Sequence, residues 1–69
     1  MLENWEKILQ DSNTQRVEII RMYLESQGID AVVLNKKDSS YHIGVAELYV
    51  PNDSAEQAKT ILNDEFPAA

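Results

Sequence analysis

The 69 residues suffice for one domain, 1–69, with a small core. Without a cysteine the chain has no disulfide and no thiolate zinc site. Its net charge of −6, from twelve acids against six bases, disfavours nucleic acid and anionic membranes as partners.

Trp5 to Leu9 is rich in Trp, Ile and Leu and is bounded by the turn-forming Asp11, Ser12 and Asn13, which predicts a first strand. Trp5, Lys7 and Leu9 share one face of a regular strand, and Glu6, Ile8 and Gln10 share the other. Neither face is purely apolar, so the pattern leaves open which one meets the core. A first helix is expected over Ser12 to Gln27. Ser12 and Gln15 have capping-box spacing, and Val17, Ile20 and Leu24 form an apolar stripe broadened by Ile19 and Tyr23. Gly28 suits a left-handed residue just past the helix, with Ile29 folded back on Leu24.

Ala31 to Leu34 is a continuous apolar run and predicts the second strand. The third, Ala46 to Val50, alternates cleanly. Ala46, Leu48 and Val50 point one way and Glu47 and Tyr49 the other, and Pro51 closes the run. Between these strands the polar stretch Asn35 to Gly44 predicts a ten-residue loop. Asn52, Asp53 and Ser54 open a second helix, with Asp53 and Glu56 at capping-box spacing. Its stripe is Ala55, Ala58, Leu62 and Phe66 with Ile61 beside it, and Pro67 ends the structured part.

The order β-α-β-β-α predicts an α+β fold, a ferredoxin-like sandwich lacking its fourth strand. The third strand inserts between the first two and runs antiparallel to both. Right-handed crossovers place both helices on one face. The missing strand would have paired with the first, which leaves a free edge and a sheet face without a helix. Tyr49, with either Trp5 or Ile8, is expected on that face, and covering it predicts a homo-oligomer, a dimer being favoured. Trp5 and Tyr49 are the self-association candidates.

The loop is the candidate binding site for a protein partner or a small anion. Lys36 and Lys37 supply positive charge, and Asp38, Ser39 and Ser40 supply hydroxyls and turn-forming carboxylate chemistry. Asn35 at the strand end and Gly44 frame it, and Asn35 is suited there to a left-handed conformation. Tyr41 and His42 complete the set, His42 being the side chain that titrates near neutrality. The contents Ser39 or Ser40, His42 and Asp38 are those of a hydrolytic triad, an alternative reading in which the chain is a small hydrolase-like enzyme. Local adjacency does not supply triad geometry, so a non-enzymatic module is preferred. A third reading is a subunit of a larger assembly with no small-molecule ligand. No metal spacing and no cofactor motif is present. No apolar run approaches the ~18 residues of a membrane helix, and the acidic start does not resemble a signal peptide, so a cytoplasmic location is expected.

Leu24-Glu25-x-x-Gly28-Ile29, Asn35-x-x-Asp38-Ser39, Gly44 and Glu47-Leu48-Tyr49-Val50-Pro51 follow one another at a spacing that resembles a family of small prokaryotic proteins. These carry the label "putative signal-transducing protein" and are otherwise domains of unknown function. The resemblance spans about Trp5 to Leu62. It implies a fold similar to the nitrogen-regulatory signalling proteins, which are ferredoxin-like trimers. Val17-Glu18 stands where family members often have Ala-Glu, so the acid alone is kept. Some relatives extend into a cysteine-bearing metal-binding tail. With no cysteine here, that role does not transfer. The nitrogen-regulatory proteins place a modifiable tyrosine in the loop where Tyr41 lies. The loop here is much shorter, and the modification is not expected to carry over.

Overall fold

The computed structural model describes residues 3–38 and 43–67. Strand β1 spans Trp5–Asp11, helix α1 Thr14–Ser26, strand β2 Val32–Asp38 and strand β3 Ile43–Pro51. A short 3-10 helix, Asn52–Ser54, then leads into helix α2, Ala55–Glu65. The sheet order is β1-β3-β2, with β3 antiparallel to both neighbours. This is the α+β arrangement expected from the sequence, a ferredoxin-like fold lacking a strand.

The alternation of β3 explains the layering. Ala46, Leu48 and Val50 are fully buried and meet Val17, Ile20 and Leu24 of α1 and Ala55 and Ala58 of α2 in one cluster. Both helices therefore lie on the same side of the sheet. Each fully buried Leu, Ile or Val side chain contributes about 1.5–3 kcal/mol, which makes this cluster the main source of stability. Ala55 and Ala58 are the buried residues through which α2 meets the sheet. Near the C-terminal ends of the helices, Tyr23 packs edge-on against Phe66 with ring centroids 5.4 Å apart. Ile19, expected to broaden the buried stripe, is instead 54% exposed, because the contact with the sheet is narrow enough for Val17, Ile20 and Leu24 to fill it.

Several boundaries differ from those read in the sequence. The cap of α1 is Asn13, not Ser12: Asn13 Oδ1 accepts from the Arg16 amide at 3.1 Å. Strand β1 runs on to Asp11, whose Oδ1 accepts from the Asn13 amide at 2.8 Å, so the turn starts one residue later. Asn and Ser are comparable caps, and the register that carries Val17 into the core decides between them. The box expected from Asp53 and Glu56 does not form. Asn52–Ser54 winds as a 3-10 turn, and Ser54 holds the cap position with no side-chain bond. The Asn52 amide donates to the Asn4 carbonyl at 2.8 Å, carrying β1–β3 pairing one step past Pro51.

The largest revision concerns the expected ten-residue loop. Asn35, Lys36, Lys37 and Asp38 belong to β2, paired with Ala46, Val45, Gly44 and Ile43 respectively. Asn35 is thus within a ladder rather than in a left-handed terminal position. Strand β2 runs on to Asp38 because an edge strand tolerates the Lys and Asn that resemble a loop in sequence, and β3 begins at Ile43, where it pairs with that extension. Ser39, Ser40, Tyr41 and His42 lie outside the described residues.

The end of α1 follows the expected pattern. Gly28 has φ +85°, the Ile29 amide donates to the Leu24 carbonyl and the Gly28 amide to that of Glu25, each at 3.0 Å. This is a Schellman ending, sealed by burial of both Leu24 and Ile29. A β-carbon at Gly28 would meet nothing within 4 Å, so the demand for glycine there is one of backbone conformation alone. Gly28→Ala is expected to lower stability by about 1–2 kcal/mol through left-handed strain, read as a reduced urea midpoint with unchanged slope.

Candidate functional site

The helix-free face of the sheet is assembled by register. In an antiparallel ladder, paired residues project on the same side. Tyr49 is paired with Lys7 of β1 and Val32 of β2, and Glu47 with Gln10 and Leu34. Trp5 is paired with Pro51 and Lys36 with Val45. All these residues stand opposite to the buried Ala46, Leu48 and Val50.

A bulge in β1 settles the ambiguous pattern of that strand. Lys7 is paired with Tyr49 and Leu9 with Leu48, so Ile8 is an extra residue with no partner on β3. The phase flips across it. Trp5 and Lys7 face away from the helices, while Ile8 and Leu9 both pack against the core. Of the two candidates for the helix-free face, Trp5 lies there and Ile8 does not. Glu6 and Asp11 fall on the helix side and form ion pairs with Lys59 of α2 and Arg16 of α1.

At the centre of the helix-free face is a small polar cluster. Tyr49 donates its hydroxyl to Glu47 Oε1 at 3.0 Å, and Lys7 Nζ reaches Glu47 Oε2 at 3.4 Å and Gln10 Oε1 at 2.9 Å. Glu47 is only 9% exposed, although it lies on the side without helices. Its neighbours' stems and rings cover it. The Tyr49 hydrogen bond lowers the Glu47 pKa below the ordinary carboxylate value; burial opposes this, and the charges of Lys7 and Lys36 add to the lowering. The Tyr49 hydroxyl is pushed up, first by its bond to Glu47, then by burial and by the carboxylate charge. Around this cluster Trp5, Val32, Leu34, Val45 and Tyr49 are half-buried, forming an apolar surround.

Of the sequence-predicted binding residues, Asn35–Asp38 and Gly44 fall on adjoining strands, and Ser39, Ser40, Tyr41 and His42 lie outside the described residues. Asn35 and Lys36 are exposed on β2 and, with Thr14, Gly44 and Val45, line a shallow groove of about 220 Å³. Lys37 and Asp38 occupy the last paired positions of β2. A β-carbon at Gly44 would sit 3.8 Å from the Lys36 carbonyl, an ordinary contact, so no steric demand selects glycine there. A second groove of about 340 Å³, lined by Asn4, Trp5, Pro51, Asn52 and Asp53, lies at the other end of the sheet. Both are at or below the small end of the ligand-site range, ~300–1,000 Å³. Among the described residues no group of three His, Cys, Asp or Glu is placed to hold a metal ion, and no helix is long and apolar enough to cross a membrane.

Sequence reasoning placed Glu47 and Tyr49 on one side of their strand but missed Lys7 and Gln10 as their partners. The separation of 40 residues between Lys7 and Glu47 carries no local signal, and the bulge hides the register.

Fold and face together define a small α+β domain of ferredoxin-like topology, one strand short, with helices on one side only. Within that class, the chain belongs to the family described as "Putative prokaryotic signal transducing protein", whose model matches residues 5–65. Comparison with curated proteins and with solved structures gives no match.

The depressed Glu47 carboxyl makes part of the stability pH-dependent. A folded-state pKa below the unfolded one stabilises above the unfolded value, about 4.3 for Glu, and that stability is lost as pH falls through the folded value. Glu47→Gln is expected to flatten the acid limb of stability between neutral pH and about pH 3. The measurement is a series of urea melts across that range, and an acid limb identical to wild type would exclude Glu47 as its source.

Proposed function

We propose that this chain is a non-enzymatic regulatory or interaction module that acts as a self-associated assembly, with a dimer as the favoured state. The observation that carries this reading is the one-sided sheet. Three strands carry both helices on one face, and the opposite face holds Trp5, Val32, Leu34 and Tyr49 around a paired Lys7–Glu47 cluster. Apolar surface of this kind, rimmed by polar groups, is commonly covered by a partner. Membership of a family described as signal transducing supports a regulatory role over a metabolic one.

The segment from Asn35 to Gly44 is the proposed contact for a protein partner or a small anion. Lys36 and Lys37 provide the positive charge in an otherwise acidic chain, and Ser39, Ser40, Tyr41 and His42 provide donors. We take the site of action to be the cytoplasm, in keeping with an acidic, cysteine-free sequence.

Light scattering across a dilution series is expected to give a mass above the 7.9 kDa of one chain at high concentration. A folded monomer throughout would reject the self-associating reading. The non-enzymatic part is tested separately. Wild-type protein is expected to show no His42-dependent hydrolysis of p-nitrophenyl acetate, and turnover that disappears in His42→Ala would establish the hydrolase-like alternative instead.

A further inference from the structure

We infer that the surface through which two copies meet is the helix-free face itself, packed face to face about a two-fold axis, and not the free edge of β1. This rests on the self-associating reading above and goes further by naming the surface. The edge is the obvious alternative, because the ferredoxin-like fold would place its fourth strand there. The structure defends that edge. Ile8 forms a bulge in the middle of β1, which breaks the regular spacing an added strand needs, and the flanking Glu6, Lys7 and Gln10 are charged or polar.

Three features of the face favour a second copy. First, its buried carboxylate is already paired within one chain. Tyr49 and Lys7 each occupy one oxygen of Glu47, so covering the cluster would leave neither carboxylate oxygen without a partner. Second, it carries both signs of charge. Among the described side chains of this face, Lys7 and Lys36 accompany Glu47, whereas α2 carries Glu56, Asp64 and Glu65 against Lys59 alone. An isologous interface must complement itself, which a mixed face does and an acidic one does not.

Third, the area is adequate for a modest dimer. Three strands about 4.8 Å apart, with about seven residues at ~3.3 Å each, present roughly 300 Å² in projection, or on the order of 500 Å² accessible with side-chain relief. Two such faces bury about 1,000 Å², at the threshold for a specific interface and in the range of reversible association. The dimer is therefore expected to dissociate on dilution.

The test compares wild type with Leu34→Lys by light scattering over a dilution series, with circular dichroism confirming the fold of each. Leu34 is half-buried beside Glu47 on β2 and lies away from the β1 edge. A concentration-dependent dimer for wild type and a folded monomer for Leu34→Lys is the expected result. A folded Leu34→Lys that dimerises like wild type would overturn the face-to-face arrangement while leaving self-association intact. A wild-type monomer at every concentration would overturn both and assign the face to some other occupant. Should Leu34→Lys fail to fold, the wild-type methyl resonances of Val32, Leu34 and Val45 give the answer without substitution. They are expected to shift with concentration, and a dimerisation that leaves them unmoved while β1 amides shift would place the contact at the edge.

Discussion

Everything in this domain depends on the two-sidedness of β3. Its even-numbered residues, Ala46, Leu48 and Val50, are the floor on which both helices rest. Its odd-numbered residues, Glu47 and Tyr49, anchor the polar cluster of the opposite face. Because β3 lies between β1 and β2, it is the strand whose backbone pairs on both sides. A one-residue slip of register would exchange core for surface along the whole strand, and this makes the pairing unforgiving.

That constraint sorts the remaining charges. Glu6 and Asp11 project to the helix side, where they pair with Lys59 and Arg16 and tie β1 to the middle of α2 and the first turn of α1. On α1, Arg21 lies between Glu18 and Glu25, so these two acids share a cation. Exposed pairs of this kind contribute at most about 1 kcal/mol each. Glu47 differs because it is buried. Its hydrogen bond to Tyr49 and its contact with Lys7 offset the cost of withdrawing a carboxylate from water. A buried, fully partnered carboxylate on the side lacking helices is unusual for a surface that stays wet. It links the chemistry of the face to the proposed association.

The bulge at Ile8 joins fold to function. Without it, Trp5, Lys7 and Leu9 would share a face, and either the core would lose Leu9 or the helix-free face would lose Trp5. With it, β1 supplies two apolar residues to the core and an aromatic residue to the far side. The same irregularity shields an edge that a shortened ferredoxin-like sheet would otherwise expose.

The sequence alone determined the order of elements, the central position of β3, the buried stripe Val17, Ile20 and Leu24, and the Schellman ending at Gly28. The elements, the stripe and the helix ending follow from local periodicity or from a conformation that a single residue type favours, and the place of β3 follows from the topology that this order of elements allows. Which hydrophilic residue caps α1, where β2 ends and where β3 begins were not legible. Asn, Ser and Asp are interchangeable caps, and an edge strand bearing lysines reads like a loop. The pairing of Lys7 with Glu47 was hidden for a different reason. It requires knowing that β1 and β3 are neighbours, in what register, and that Ile8 is skipped. Such facts belong to the packing of distant segments, and the tertiary structure alone decided them, because burial of Leu9 and Leu48 together is what selects the bulged register over the regular one.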